Sequence, residues 1–154
     1  MAMHTWFECK IRYEKVMENG MQKKVTEPYL VDALSFTEAE ARIIEEMTPF
    51  ISGEFTVSDI KRANYSELFP CEEDAADRWF KCKLVFITLD EKSGAEKKTS
   101  TQVLVQAADL RDAVKKLDEG MKGTMADYQI ASVAETAIMD VYPYSAEPND
   151  KPEV

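Results

Sequence analysis

Histidine is nearly missing: the 154-residue chain has one, His4. A histidine-based acid/base or triad mechanism therefore has a single ring to draw on. The sequence also lacks a Gly-rich phosphate loop, a nucleophile elbow and a His-Glu-x-x-His pair. Its three cysteines are odd in number and none form a Cys-x-x-Cys pair, which argues against a disulfide framework or a structural zinc site. Long apolar runs are missing too. The longest, Leu84 to Leu89, is far short of the roughly 20 residues of a membrane helix. The first ten residues show no apolar signal region. These absences lead us to expect a cytoplasmic protein with no cofactor, no metal and no membrane contact.

The formal charge is -10, and it is unevenly placed. Residues 71 to 77 hold four acids and no base, and the segment after Pro143 is also acidic. Such a balance disfavours nucleic acid and anionic lipid as partners, although a local basic patch escapes that argument. A protein partner or self-association is the expectation. With 45% hydrophobic residues, two Trp, six Tyr and seven Phe, the chain has ample material for a core.

What the sequence does contain is a repeat. Trp6-Phe7-Glu8-Cys9-Lys10 recurs as Trp79-Phe80-Lys81-Cys82-Lys83, an offset of 73 that uses both tryptophans of the chain. Asn19-Gly20 matches Ser93-Gly94, and Lys23-Lys24 matches Lys97-Lys98, at an offset of 74. Leu30-Val31-Asp32-Ala33 matches Leu104-Val105-Gln106-Ala107 at the same offset. Phe55-Thr56-Val57 and Tyr128-Gln129-Ile130 return to 73, as do Leu68-Phe69-Pro70 and Val141-Tyr142-Pro143. One extra residue therefore lies in the second copy's hairpin. The order and spacing indicate a tandem duplication.

Each copy reads as strand, strand, helix, strand. Phe7, Cys9, Ile11 and Tyr13 alternate with charged residues, the period of a half-buried strand. Phe80, Cys82, Leu84 and Phe86 repeat this, and Val85, Ile87 and Leu89 suggest that the second copy's strand is covered on both faces. Asn19-Gly20 signals a two-residue hairpin turn, Ser93-Gly94 a weaker one. Second strands run near Val25 to Val31 and Thr99 to Val105, with Pro28 placing the first at an edge or bulge. Ser35-x-x-Glu38 and Asp109-x-x-Asp112 cap two helices, each with one apolar stripe. The closing strands, Phe55 to Leu68 and Tyr128 to Val141, lose alternation near Asp59-Ile60 and Ser132-Val133, which predicts a bulge in each. The expected fold is α+β: duplicated β-β-α-β units, mostly antiparallel sheet, two helices and a pseudo-twofold. The expected domain covers residues 1–143, with repeat 1 at 5–70, a connector at 71–77, repeat 2 at 78–143 and a flexible acidic tail at 144–154, the two copies burying their apolar surface jointly.

Trp79 to Lys83, Leu104 to Ala107, Met121-Lys122-Gly123-Thr124-Met125 and Glu135 to Asp140 together resemble a domain-of-unknown-function family of Bacteroidetes and their mobile elements. The resemblance covers about residues 3 to 143. It implies a bacterial cytoplasmic protein and brings with it no activity, ligand or site residue.

The candidate site residues come from alternation. Trp6 and Trp79 share the second sheet face with Lys10 and Lys83. The plain reading makes both indoles core caps; the sharper one makes them a stacking platform for bases, with Lys23, Lys24, Lys97 and Lys98 on phosphates. Cys9 and Cys82, at matched places on apolar faces, read as small buried hydrophobes or, alternatively, as a redox or metal pair; Cys71 reads as exposed. The acidic stretch Glu72 to Asp77 is a solvated connector, or else a soft metal or basic-partner site. The sequence as a whole favours a non-enzymatic binding or adaptor protein acting through a sheet surface or the groove between its copies. Single-stranded nucleic-acid binding and a carboxylate-based enzyme are the alternatives.

Overall fold

In the computed structural model, which describes residues 5–124 and 127–143, the chain forms ten elements. They are β1 (Trp6–Val16), β2 (Gln22–Asp32), α1 (Phe36–Met47), β3 (Phe55–Ala63), β4 (Glu67–Phe69), β5 (Arg78–Leu89), β6 (Glu96–Ala107), α2 (Leu110–Gly120), β7 (Asp127–Glu135) and β8 (Val141–Tyr142). The fold is α+β, with two helices and mostly antiparallel sheets, as the sequence led us to expect. His4 and the tail 144–154 lie outside the described residues.

Among the described residues two compact units emerge, one from 5–63 with 138–143, the other from 64–124 with 127–137. The first holds a sheet of order β3-β1-β2-β8. Phe7, Cys9 and Ile11 on β1 and Val31 on β2 are buried against Ala39, Ile43 and Met47 of α1. The second holds a sheet of order β4-β6-β5-β7, with Cys82, Leu84, Val103 and Val105 packed under Leu117 and Met121. Phe80, Ala107 and Ala113 extend that layer. On its helix side each sheet thus has its own cluster. Emptying one large position, Phe7 or Phe80, costs about 3–5 kcal/mol on the scale of core truncations.

Both helices begin as their caps dictate. Ser35 Oγ accepts from the Glu38 N–H at 3.1 Å, while the Glu38 carboxylate accepts from the Leu34 N–H. Asp109 Oδ1 accepts from the Asp112 N–H at 2.8 Å, and Asp112 Oδ2 from the Ala108 N–H at 2.9 Å. Both arrangements satisfy donors that the first helical turn leaves open. The expected bulges are present. Pairing of β1 with β3 skips Ser58 between Lys10 and Ile11; pairing of β5 with β7 skips Ala131 between Lys83 and Leu84.

Two expectations need correction. The first hairpin does not turn on two residues. The Met17 N–H bonds the Met21 carbonyl at 2.8 Å, leaving Glu18, Asn19 and Gly20 as a three-residue loop with Gly20 at φ 83. The second loop has one residue more: the Asp90 N–H bonds the Ala95 carbonyl and Gly94 takes the left-handed position at φ 72. A glycine closing a longer loop supplies the positive φ that a two-residue turn would demand twice.

The closing strands are not continuous either. Each breaks, and its last residues pair in a different sheet: β4 runs parallel to β6 through Leu68–Leu104, β8 parallel to β2 through Leu30–Val141. Those residues were legible as apolar, but nothing local names the strand they join. Pro28 fits this arrangement. Its carbonyl accepts from the Met139 N–H at 2.8 Å on the β8 side of β2, so the missing donor faces that side, ahead of the Leu30–Val141 pairing, rather than the β1 ladder; β2 is therefore an inner strand and not the expected edge.

In the connector, Glu72, Glu73, Asp74 and Asp77 are exposed. Residues 71–77 are tied to the second unit. The Cys71 N–H donates to Gln106 Oε1 at 2.8 Å, Glu73 accepts from Lys116 at 3.0 Å, and Ala76 is buried. Matched helix cations hold the chain after each parallel strand. Arg42 on α1 donates to the carbonyls of Asp32 and Pro143, and Lys116 on α2 bridges Glu73 and Asp112.

Candidate binding site

Alternation predicted correctly that Trp6 and Trp79 face away from the helices, but both are buried, at 7% and 4% exposure. Base stacking needs an open ring face, which neither indole offers in this structure. Leu30 and Leu104 are buried on the same faces. The lysine pairs separate as well. Neighbours on a strand point to opposite faces, so Lys24 sits across from Glu14 while Lys23 sits across from Lys15. Lys98 likewise shares a face with Ile87, and Lys97 with Thr88. Lys10 is half-buried between Pro28 and Asp59; Lys83 is exposed beside Gln102 and Ser132. Trp6, Lys10, Lys23 and Lys24 belong to the first unit, and Trp79, Lys83, Lys97 and Lys98 to the second.

The cysteines take the plain reading. Cys9 and Cys82 are fully buried in the two separate clusters. Desolvation, with Glu8 and Asp59 nearby, pushes the Cys9 thiol up to about 12; burial alone pushes Cys82 up to about 11. Both stay protonated and unreactive at neutral pH. Among the described residues, no three His, Cys, Asp or Glu side chains converge on a common metal position.

One cleft does gather functional groups, at the hairpin end of the first unit. It encloses about 700 Å³. Alternation on β1 sends Arg12, Glu14 and Val16 to one face, joined by Gln22 and Lys24 of β2; Ser52, Gly53 and Glu54 enter from the loop before β3. Tyr13, Phe55 and Thr56 complete it. The backbone explains why space remains here. Pairing of β3 with β1 begins only at Phe55–Tyr13, whereas β1 continues to Val16 with β2 as partner. Beyond Tyr13, among the described residues, β1 is therefore paired on one side only.

A polar cluster fixes the cleft's aromatic wall from the helix side. The Tyr13 hydroxyl donates to Glu27 Oε1 at 2.9 Å, and the Tyr29 hydroxyl to the same oxygen at 3.2 Å. Lys15 Nζ donates to Glu27 Oε2 at 3.4 Å. Burial, helped by the Glu27 carboxylate, pushes the Tyr13 phenol up to about 12 and raises Tyr29 further. Tyr13 thus remains a neutral hydrogen-bond donor throughout the physiological range. Tyr142 of β8 stacks on Tyr29, with centroids 6.1 Å apart. The second unit has Thr101 and Phe86 at the places of Glu27 and Tyr13, so this cluster is peculiar to the first.

The cleft escaped the sequence reading because its walls come from segments up to 44 residues apart (Arg12 to Thr56). Arg12 lies on β1, and Ser52 and Gly53 lie in the loop before β3; no local signal joins the two. No helix among the described residues is long and apolar enough to cross a membrane. Compared with known proteins, residues 5–144 match the profile of a family described as a domain of unknown function (DUF4494). No curated protein matches the chain.

Proposed function

We propose that this chain, which belongs to the DUF4494 family, is a non-enzymatic bacterial cytoplasmic adaptor that holds an extended peptide segment in the cleft of its first unit. One observation carries the reading: the cleft coincides with the stretch of β1, Glu14 to Val16, that has a partner strand on one side only. An open strand edge lends main-chain hydrogen bonds to an added strand, and pockets beside it select alternate side chains. Arg12 and Lys24 suit carboxylates of the ligand, Glu14 and Glu54 its cations, Val16 and Phe55 an apolar side chain. A peptide carrying both signs of charge meets all of these.

The two units also support descent from one duplicated β-β-α-β unit with a pseudo-twofold relation. Their strand orders correspond, their bulges fall at equivalent pairs, and their caps match. In that reading the second copy lost the Glu27 cluster, and the first specialised.

The test is selection of peptide ligands from a random-sequence dodecamer library with the full chain, followed by binding measurements on the selected peptides. The double variant Arg12→Glu/Lys24→Glu should weaken them at least tenfold while melting like the wild type. Selected peptides that ignore this variant, or measurable turnover of a bound peptide, would remove the proposal.

A further inference from the structure

The second unit presents a different surface on the face of its sheet away from α2. Successive rows across β5, β6 and β7 read Lys81–Leu104–Ala134, Lys83–Gln102–Ser132, Val85–Ser100–Gln129 and Ile87–Lys98–Asp127. Lys81, Lys83 and Lys98 are exposed, as are Ser100, Gln129 and Ser132, while Val85, Ile87 and Gln102 are half-buried. The expectation that β5 would be covered on both faces therefore fails along this stretch; even Leu89, on the same face, is 68% exposed. Three ammonium groups share this patch with hydroxyls and amides. Its two carboxylates, Asp127 beside Ile87 and Glu96 opposite Leu89, stand together at the far end. The matching face of the first unit differs, since there Glu8, Glu14 and Asp59 are interspersed with the cations.

From this we infer that the outer sheet face of the second unit binds the phosphate backbone of a single-stranded nucleic acid, a site separate from the peptide cleft. Lys81 and Lys83, two residues apart on one strand, are spaced by about 6.7 Å, while Lys98, paired with Ile87, lies one strand over and four residues further along, about 14 Å from Lys83. That spacing suits two successive phosphates of an extended strand and a third about two nucleotides on. Lysine serves such contacts as a point charge. Ser100, Gln102, Gln129 and Ser132 offer hydrogen bonds to sugars and base edges, and Val85 with Ile87 an apolar bed between them; a carboxylate-rich peptide would leave these amides and apolar groups unused. The overall charge of -10 does not decide against this. Screening confines each charge to about 8 Å at physiological salt, so the local patch sets the potential that a phosphate meets. Without an exposed aromatic ring the binding is sequence-tolerant and weak, with a Kd in the range of about 10⁻⁴–10⁻⁶ M.

The test is fluorescence anisotropy of a labelled 15-nucleotide oligo-dT with the full chain at 50 and 200 mM salt, beside a labelled poly-glutamate peptide of equal charge. Three phosphate contacts on a single strand give a log–log salt slope of about -2, so affinity should fall about 20-fold between those concentrations. The triple variant Lys81→Gln/Lys83→Gln/Lys98→Gln should lose at least tenfold at low salt. The variant Lys115→Gln/Lys122→Gln, on the α2 side, should bind as the wild type does. Failure of the oligonucleotide to bind at 50 mM salt, equal loss in both variants, or tighter binding of poly-glutamate than of the oligonucleotide would each overturn the inference. None of these outcomes bears on the peptide cleft, which lies in the other unit.

Discussion

Replacing Gly120 by alanine sets two effects of opposite sign against each other. Alanine favours a helix by about 1 kcal/mol over glycine, although at the last residue of α2 only part of that gain is realised. Against it stands Phe69. A Cβ on Gly120 would lie 2.9 Å from Cδ1 and Cε1 of that ring and 3.0 Å from Cγ, well inside ordinary carbon–carbon contact. Rotating the ring about its own axis leaves Cγ in place, so relief requires moving the whole side chain. That movement pulls Phe69 away from the cluster of Leu117, Met121 and Val105 and strains the pairing of β4 with β6. Overpacking of this kind costs about 1–3 kcal/mol, so the clash wins and Gly120→Ala destabilises by about 1–2 kcal/mol. At about 2–4 °C per kcal/mol for a chain of this size, thermal unfolding followed by circular dichroism should show a loss of about 2–8 °C. The double variant Gly120→Ala/Phe69→Leu should cost less than the sum of the singles, because the shorter side chain vacates the space. A neutral or stabilising Gly120→Ala would refute the close approach of β4 to α2.

The thiols offer a check on the two cores. A disulfide-exchange reagent at pH 8 should label Cys71 quickly and Cys9 and Cys82 only after denaturation; a fast second thiol would contradict their burial. Spectrophotometric titration should find tyrosines that ionise near pH 12 rather than 10, among them Tyr13 and Tyr142. Because their folded values lie above the unfolded one, the stability linked to them is complete below pH 10 and drains away toward pH 12; stability flat across that window would count against the buried hydroxyls. At acid pH the sign reverses for Asp112, whose carboxyl Lys116 and the Ala108 N–H hold below its usual range. Its contribution is lost as the pH falls below about 4, and Asp112→Asn should flatten that part of the stability curve. Removing the other cap, in Asp109→Ala, should cost about 1 kcal/mol in chemical denaturation; no change would mean that α2 starts elsewhere.

The legible parts of this protein were those with a local cause. Ser35 and Asp109 announced helix starts, alternation in Phe7 to Tyr13 announced a one-sided strand, and the slips at Asp59 and Ser132 announced bulges within two residues of their places. Long-range pairing stayed hidden. Leu68-Phe69 and Val141-Tyr142 look like the ends of long strands, and only the fold shows that each pairs in parallel with a strand of a different sheet. Alternation told which face the tryptophans occupy but not how deeply they are buried. Lysine adjacency misled for the same geometric reason, since side chains next to each other on a strand part to opposite faces. The cleft was invisible because an unpaired edge is defined by where a neighbouring strand begins, here Phe55, and not by the residues of β1 themselves.

Amide chemical-shift mapping of the isotope-labelled full chain, titrated with a peptide selected from the library, tests the account most directly. The account predicts that the largest perturbations cluster at Glu14, Lys15 and Val16 and at Ser52 to Phe55, with the β7 and β4 amides unmoved. Perturbations centred on the second unit, or spread evenly over both sheets, would contradict it.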